Sequence, residues 1–471
     1  MDYSELVNKV EGFDENELAS FVSKVKDWAL MHGIGMRSKN NFDESSLVVA
    51  PFTLLPSPIT KDCFERAIRA QKLLNKLLHR LAYDSEFLDY ALASVLEHDE
   101  FTRKLYEIYT EIRKTEPVQR ISCGLFRCDY FLHCDGSLKQ VEMNTISSSM
   151  SGLIQSLGNA HRYVVKQLRM DKHLNHIPVN IALSKLCEGL IEAWRHYNVE
   201  SAVILFVVEE VTFNICDQRF MEFETERLNS NVRVIRRSFN QLLEQAKLGE
   251  NMELYVDKHE VAVVYFRWGY DPTHFSDETW SLRLMMEKSK AIKCPSIQYH
   301  LVGAKKVQQV LCYPGILEKY ISDKEEANMI RDLFVDIYPL DESPEGEEGY
   351  KLAMNQFNRF VLKPQREGGG NNIYGDDIPK HLKSISRKDA AAFILMGLIE
   401  PVPTRNILVK QGYVGKGDVV SELGIYGIII GDDNRIYLNE EAGHMLRSKL
   451  VSSREGGVAA GDGLLDSPYV L

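Results

Sequence analysis

Residues 360–374 read Phe-Val-Leu-Lys-Pro-Gln-Arg-Glu-Gly-Gly-Gly-Asn-Asn-Ile-Tyr, an apolar strand that ends at Lys363 and runs into a glycine loop carrying Glu367. This order suits a nucleotide's phosphate chain. Lysine supplies a point charge for phosphate oxygens, and glycines let backbone N–H groups approach them closely. A glutamate can hold the magnesium that accompanies ATP through oxygen ligands. The loop matches neither Gly-x-x-x-x-Gly-Lys-Ser/Thr nor Gly-x-Gly-x-x-Gly, so it indicates neither a P-loop nor a dinucleotide fold. Taken alone, three adjacent glycines are more often a plain turn.

A second group of chemical residues lies on a hairpin pattern. Leu125 to His133 and Leu138 to Asn144 flank Cys134-Asp135-Gly136-Ser137, and Asp-Gly favours a two-residue turn. If Cys134 and Ser137 close that turn, Asp129 faces Glu142 and Arg127 faces Asn144. Residues two apart share a face, so these four gather on one side and Cys128, Tyr130, Val141 and Met143 on the other. Opposed carboxylates repel unless a cation sits near them. A magnesium site and a solvated polar face neutralised by Arg127 both fit this pattern. The hydroxyl-rich stretch Thr145 to Gly152 follows, able to offer donors to a carboxylate or phosphate, or merely to cap a helix.

The elements that must carry these groups differ along the chain. Residues 14–33 and 60–113 have helical spacing of apolar residues, while three prolines keep residues 50–58 out of regular helix. That proline segment is either a packed surface loop or an active-site wall. Residues 200–300 alternate strand and helix: Ala202 to Val208, a helix near Asp217 to Leu228, Val232 to Ile235, and Val261 to Phe266. A compact parallel α/β unit is expected. Its last strand runs into Arg267 and Tyr270, where open α/β sheets bind ligands; a surface arginine is the alternative. Residues 341–349 are acidic and rich in glycine, and read as an exposed loop. The tail brings Arg447 and Lys449, then the small-residue loop 456–461, which can cover an anionic ligand or simply end the chain.

The whole composition fits a water-soluble protein. At 471 residues two or three domains are expected, with 44% hydrophobic and 26% charged residues. A net charge of −11 leaves no basic stripe for nucleic acid. The first residues lack a signal-peptide pattern and the longest apolar runs are strand-sized, so no membrane partner and a cytoplasmic location are expected. Eight cysteines are scattered without Cys-x-x-Cys, which reads as free, mostly buried thiols.

Together, Val141 to Ser147, Leu362 to Asn372 and Gly456 to Gly461 resemble eukaryotic glutathione synthetases. Asp217-Gln218-Arg219, Val264 to Tyr270, Ala304 to Gln309 and Ala50 to Leu54 fit the same family, in order over almost the whole chain. The resemblance implies a mixed α/β fold: an ATP-grasp core with a smaller inserted parallel α/β substrate domain and a lid. Residues 1–199 would be the helical part and hairpin, 200–303 the inserted domain, and 304–471 the C-terminal part. The last would hold the lid (about 338–418), the glycine-rich loop (365–372) and the alanine-rich loop (455–463). A homodimer is also implied.

Metal ligands carried over from the family are Glu142, Asn144 and Glu367, for one or two Mg2+ per subunit. ATP contacts fall on Glu142, Lys305, Lys363, Glu367, Gly368, Gly369, Gly370, Asn371, Asn372, Tyr374, Met396, Gly397, Leu398, Ile399, Glu422, Lys449 and Glu455. Substrate contacts fall on Arg127, Ser147, Ser148, Ser149, Asn214, Gln218, Arg267, Tyr270, Arg447, Val458 and Ala459. Arg127, Lys305, Lys363 and Arg447 would act in catalysis. The implied reaction joins γ-glutamylcysteine to glycine at the expense of ATP, through an acyl phosphate. Two departures stand out: Thr212-Phe213 replace an acidic–basic pair before Asn214, and Glu455 replaces an aspartate.

Overall fold

The helical run after residue 60 is divided by side-chain caps. Thr60 accepts from the Cys63 N–H, Asp84 from Phe87 and Asp99 from Thr102, which starts the helices Lys61–Ala82, Ser85–Leu96 and Glu100–Ile112 in turn. Their apolar faces share one core with Phe126, Cys128 and Tyr130 of the strand Ser122–Leu132. The computed structural model describes residues 2–471 apart from 368–369, 455 and 459–462.

The proline segment lines no part of the active-site cavity described below and is not a loop throughout. It forms two short strands, Phe52–Thr53 and Ser57–Ile59, and buries Phe52, Leu54 and Leu55 completely. These strands pair with Thr404–Lys410 and with the C-terminal strands Leu464–Asp466 and Pro468–Val470.

One sheet of thirteen strands, counted among the described residues, runs through the molecule. Its antiparallel part sets the long strand Tyr413–Gly431 between Ser122–Leu132 and Ile436–Leu450. Its parallel part holds Val203–Val207, Val234–Arg237, His259–Phe266 and Ile292–Cys294. The two parts join where Lys293 pairs with Ser122. The α/β segment therefore extends the main sheet and does not own a separate one.

The hairpin reaches its expected register by a different route. His133 N–H donates to Ser137 O at 2.8 Å, and Gly136 has φ +85°, so the turn is Cys134-Asp135-Gly136 and has three residues, not two. An irregularity between Asp129 and Tyr130 then leaves Val141 as an extra residue. The two offsets cancel. Asp129 still faces Glu142 and Arg127 faces Asn144, while Val141 leaves the apolar side and lines the cavity described below.

The segment expected as the lid carries a separate four-stranded antiparallel sheet of Ile337–Pro339, Phe393–Gly397, Phe360–Pro364 and Ile373–Tyr374. Its own core is built from Leu340, Ala353, Leu362, Leu382 and Leu395. The acidic stretch at 341–349 is not a loop throughout: Ser343 caps a helix Pro344–Asn355 by accepting from the Gly346 N–H at 3.1 Å. Proline fits at the first helical position, and Glu345 and Glu347 suit the positive end of the helix dipole. Among the described residues, no helix is long and apolar enough to cross a membrane.

Candidate active site

The register of the large sheet lines up charged residues across four strands. Asp129 opposes Glu142 on one side and Gly424 on the other, and Glu422 opposes Arg447. Asp129 is fully buried and carries much of the wiring. Arg127 donates to it twice, Nε to Oδ1 at 2.6 Å and Nη2 to Oδ2 at 2.8 Å. Asn144 Nδ2 donates to it at 2.9 Å, and Arg447 lies 3.5 Å away. Burial works against the charge on Arg127, but Asp129 outweighs it and holds the guanidinium protonated. Gly424 makes room for this pair: a Cβ there would sit 2.7 Å from Asp129 Oδ1 and 2.8 Å from Arg127 Cδ.

Lys305 ties the sheet to the glycine loop. Its ammonium stands 3.6 Å from Glu142 and 3.5 Å from Glu367, and donates to Arg366 O at 2.6 Å. Burial resists its ionisation, yet the two carboxylates hold its proton more tightly than usual. Burial also resists ionisation of Glu142, which Lys305, Lys363, Arg447 and Arg127 together hold well below the usual range. Glu367 goes the other way, pushed up by burial and by the Glu142 charge against the pull of Lys305. Lys363 reaches from the lid to Val141 O at 3.1 Å, and burial pulls its pKa down. Ligand oxygens of Asp129, Glu142 and Glu422 come within 4.8 Å of one another. The Arg447 guanidinium stands among these three, 2.6 Å from Glu422, 3.5 Å from Asp129 and 3.9 Å from Glu142.

Beside the charges lies an apolar slot. Val361 pairs with Met396 and with Tyr374 in the lid sheet, and Ile399 packs on the same cluster. A planar base fits such a surface.

The opposite wall comes from the serine stretch and the α/β segment. Asp217, fully buried, accepts from the Met150 and Gly152 N–H groups and from Arg267 Nη2 at 3.0 Å. Ser147 and Met150 take left-handed backbone, φ 54° and 81°, which folds the serines over Arg267. Arg267 lies just past the carboxyl end of His259–Phe266, as open sheets lead one to expect.

These walls enclose a cavity of about 730 Å³. Of the expected residues it is lined by Arg127, Glu142, Asn144, Ser147, Ser148, Ser149, Asn214, Gln218, Arg267, Tyr270, Lys363, Glu367, Asn372, Tyr374, Met396, Gly397, Leu398, Ile399, Glu422, Arg447, Lys449 and Val458. Lys305 is buried behind the wall, while Gly370 and Asn371 sit on the exposed turn beyond it. Gly368, Gly369, Glu455 and Ala459 lie outside the described residues. Reading the sequence alone missed Asp217 as the hub of the serine stretch, Gly424, and Glu209, which also lines the cavity. A glycine inside an apolar strand was a signal for Gly424; the other two had none.

A cleft between two β-sheets, with a lysine offered from each side and carboxylates between them, is the arrangement of an ATP-grasp protein. The model of the eukaryotic glutathione synthase ATP-binding domain matches residues 15–470. The glutathione synthetase of Xenopus laevis is 40% identical over 94% of this chain and 95% of its own. That of Homo sapiens is 39% identical over 97% and 98%. A solved glutathione synthetase-like effector from Globodera pallida superposes with a TM-score of 0.78 at 25% identity, covering 98% of both chains. The chain belongs to the eukaryotic glutathione synthase family.

Proposed function

We propose that the protein is an ADP-forming ligase that joins γ-glutamylcysteine to glycine, making glutathione from ATP. The observation that carries this is a single cavity lined by Glu142, Glu367, Arg127 and Arg447, with Lys305 buried between the two glutamates. A carboxylate does not react with an amine at neutral pH, so it must first be activated. ATP supplies the γ-phosphoryl group to the cysteinyl carboxylate, giving an acyl phosphate and ADP. The glycine amine attacks the acyl carbon, the C–O bond to phosphate breaks, and phosphate leaves with its electron pair. No side chain needs to bond the substrate; catalysis is positioning and charge neutralisation.

In this reading Lys305 and Lys363 hold the phosphate chain and the Met396–Ile399 edge meets the adenine. Arg127 faces the transferring group, with its fork kept in plane by Asp129. Arg267, Asn214, Gln218 and the serines hold the dipeptide, and Val458 covers the acceptor. Glu142, Asn144 and Glu367 would hold Mg2+, one or two ions per subunit. Their oxygens support it: Asn144 commits its amide nitrogen to Asp129, which leaves the oxygen as donor. When bound, the ion would offset charge on the phosphates. A homodimer is the proposed assembly. Sedimentation should then return twice the 53.9 kDa chain mass.

Oxygen-18 in the dipeptide carboxylate tests the chemistry. One labelled oxygen should appear in the released phosphate for each ADP formed. Label confined to the peptide, with none in the phosphate, would exclude the acyl phosphate.

A further inference from the structure

Among the described residues four glutamates line the cavity, and three of them, Glu142, Glu367 and Glu422, stand among the cations of the phosphate end. The fourth, Glu209, follows the carboxyl end of the strand Val203–Val207. Both of its oxygens accept from Gln218 Nε2, at 3.2 and 3.1 Å. That amide is held one way round, because Arg236 Nη2 donates to Gln218 Oε1 at 2.8 Å. Arg236 and Arg267 feel the Glu209 charge, but among the described residues Glu209 makes no ion pair. Thr212, where the family pattern carries an acid, only accepts a hydrogen bond from Arg236 and adds no charge. On the same wall Arg267 Nε and Asn214 Oδ1 are buried without a hydrogen-bond partner.

A half-buried carboxylate whose neighbour is a neutral amide is prepared for a cation that the ligand brings. An arginine beside it, with a nitrogen to spare, is prepared for an anion. The two charges together match the head group of an amino acid. A γ-glutamyl peptide presents that head group intact, with ammonium and carboxylate on one carbon; an α-linked peptide has used its carboxylate in the peptide bond. We infer that Glu209, oriented by Gln218 and Arg236, binds the α-ammonium of the γ-glutamyl group and so selects donors that keep this amine free. The inference rests on the ligase reading above.

The test compares γ-glutamylcysteine with glutaryl-cysteine, which has the same chain without the amine. The intact wild-type protein should prefer the natural donor by roughly 10- to 100-fold in kcat/KM, as expected for one charge-assisted contact. Glu209→Gln should raise KM for γ-glutamylcysteine by most of that factor and leave kcat and the KM for ATP within about threefold. Its KM for glutaryl-cysteine should not rise, so the preference collapses. If both donors weaken equally, or the preference survives in Glu209→Gln, the assignment of the ammonium to Glu209 is wrong while the ligase reading stands. A wild-type protein that releases no ADP with γ-glutamylcysteine and glycine removes the ligase reading, and this inference with it.

Discussion

Two half-buried acids can share one wall because Lys305 stands between them, and that single fact organises the chemistry at the scale of residues. Replacing either acid by its amide keeps volume and removes a negative oxygen. Glu367→Gln and Glu142→Gln should each lower ligation by at least about a hundredfold while thermal stability barely changes; an active, normally magnesium-dependent Glu367→Gln protein would sink the site assignment. The two ends of the cavity should also separate in kinetics. Lys363→Met should raise KM for ATP by about tenfold or more and leave the dipeptide little affected. Arg267→Lys should do the reverse, because it keeps the charge that Asp217 needs and loses the fork that holds a carboxylate. If both variants weaken the same ligand, the division into two subsites fails. Part of this was legible: a period of two puts Arg127 with Asp129 and Glu142 with Asn144, whereas their facing across the hairpin was expected from a turn that the structure replaces. Lys305 was different. Its place between acids far away in sequence is set by tertiary packing, and only the resemblance to a family pointed to it.

Elements explain why that register is held so firmly. A three-residue turn and an extra residue at Val141 each shift the hairpin by one, and the shifts cancel before the site is reached. Asp-Gly alone could not reveal this, because it serves both kinds of turn. The helix at Pro344 was legible in principle: serine, proline and glutamate in succession are a helix start, and the density of acid and glycine hid it. Gly424→Ala tests the strand packing directly. Its Cβ would press on Asp129 and Arg127, which hold each other and cannot step aside. Activity should fall about tenfold or more with the fold retained; unchanged kcat would show that the pair has slack. Where the C-terminal strands seal the body, Asp466 accepts from Ser57, Ser448 and Ser467, and burial pushes it up from 3.8 to about 6. The folded state thus keeps a proton that the unfolded state releases. Its contribution is complete below pH 3.8 and is lost as pH rises through about 6. Asp466→Asn should therefore gain on the wild type by up to about 3 kcal/mol between pH 4 and 7. Denaturant titrations at both pH values measure it, and a difference that does not change with pH would rule out the raised carboxyl.

At the scale of the molecule, the parallel strands and the hairpin belong to one sheet, joined where Lys293 pairs with Ser122. The sequence showed the change of texture near residue 200 and a compact α/β unit, and the family resemblance implied that it is inserted; nothing in the periodicity could show that the hydrogen-bond ladder runs on across the boundary. A shared ladder has a consequence for stability. Strands in one sheet, with Val263 and Ile292 in the same core as Leu125 and Ile428, open together. Amide hydrogens of His259–Phe266 and of Ser122–Leu132 should exchange through the same global unfolding, at matching rates. The lid has its own small core and meets the body mainly through polar contacts, among them Lys363 with Val141, Arg366 with Asp99, Lys305 with Glu367 and Lys306 with Asp341. Its strands Phe360–Pro364 and Phe393–Gly397 should exchange faster than the body. ATP with magnesium, touching both sheets, couples the two and should slow lid exchange by about a hundredfold at a hundred times Kd. Lid amides that ignore ATP would mean that the nucleotide does not bridge the sheets, and the slot of Val361, Tyr374 and Met396 would then need another occupant.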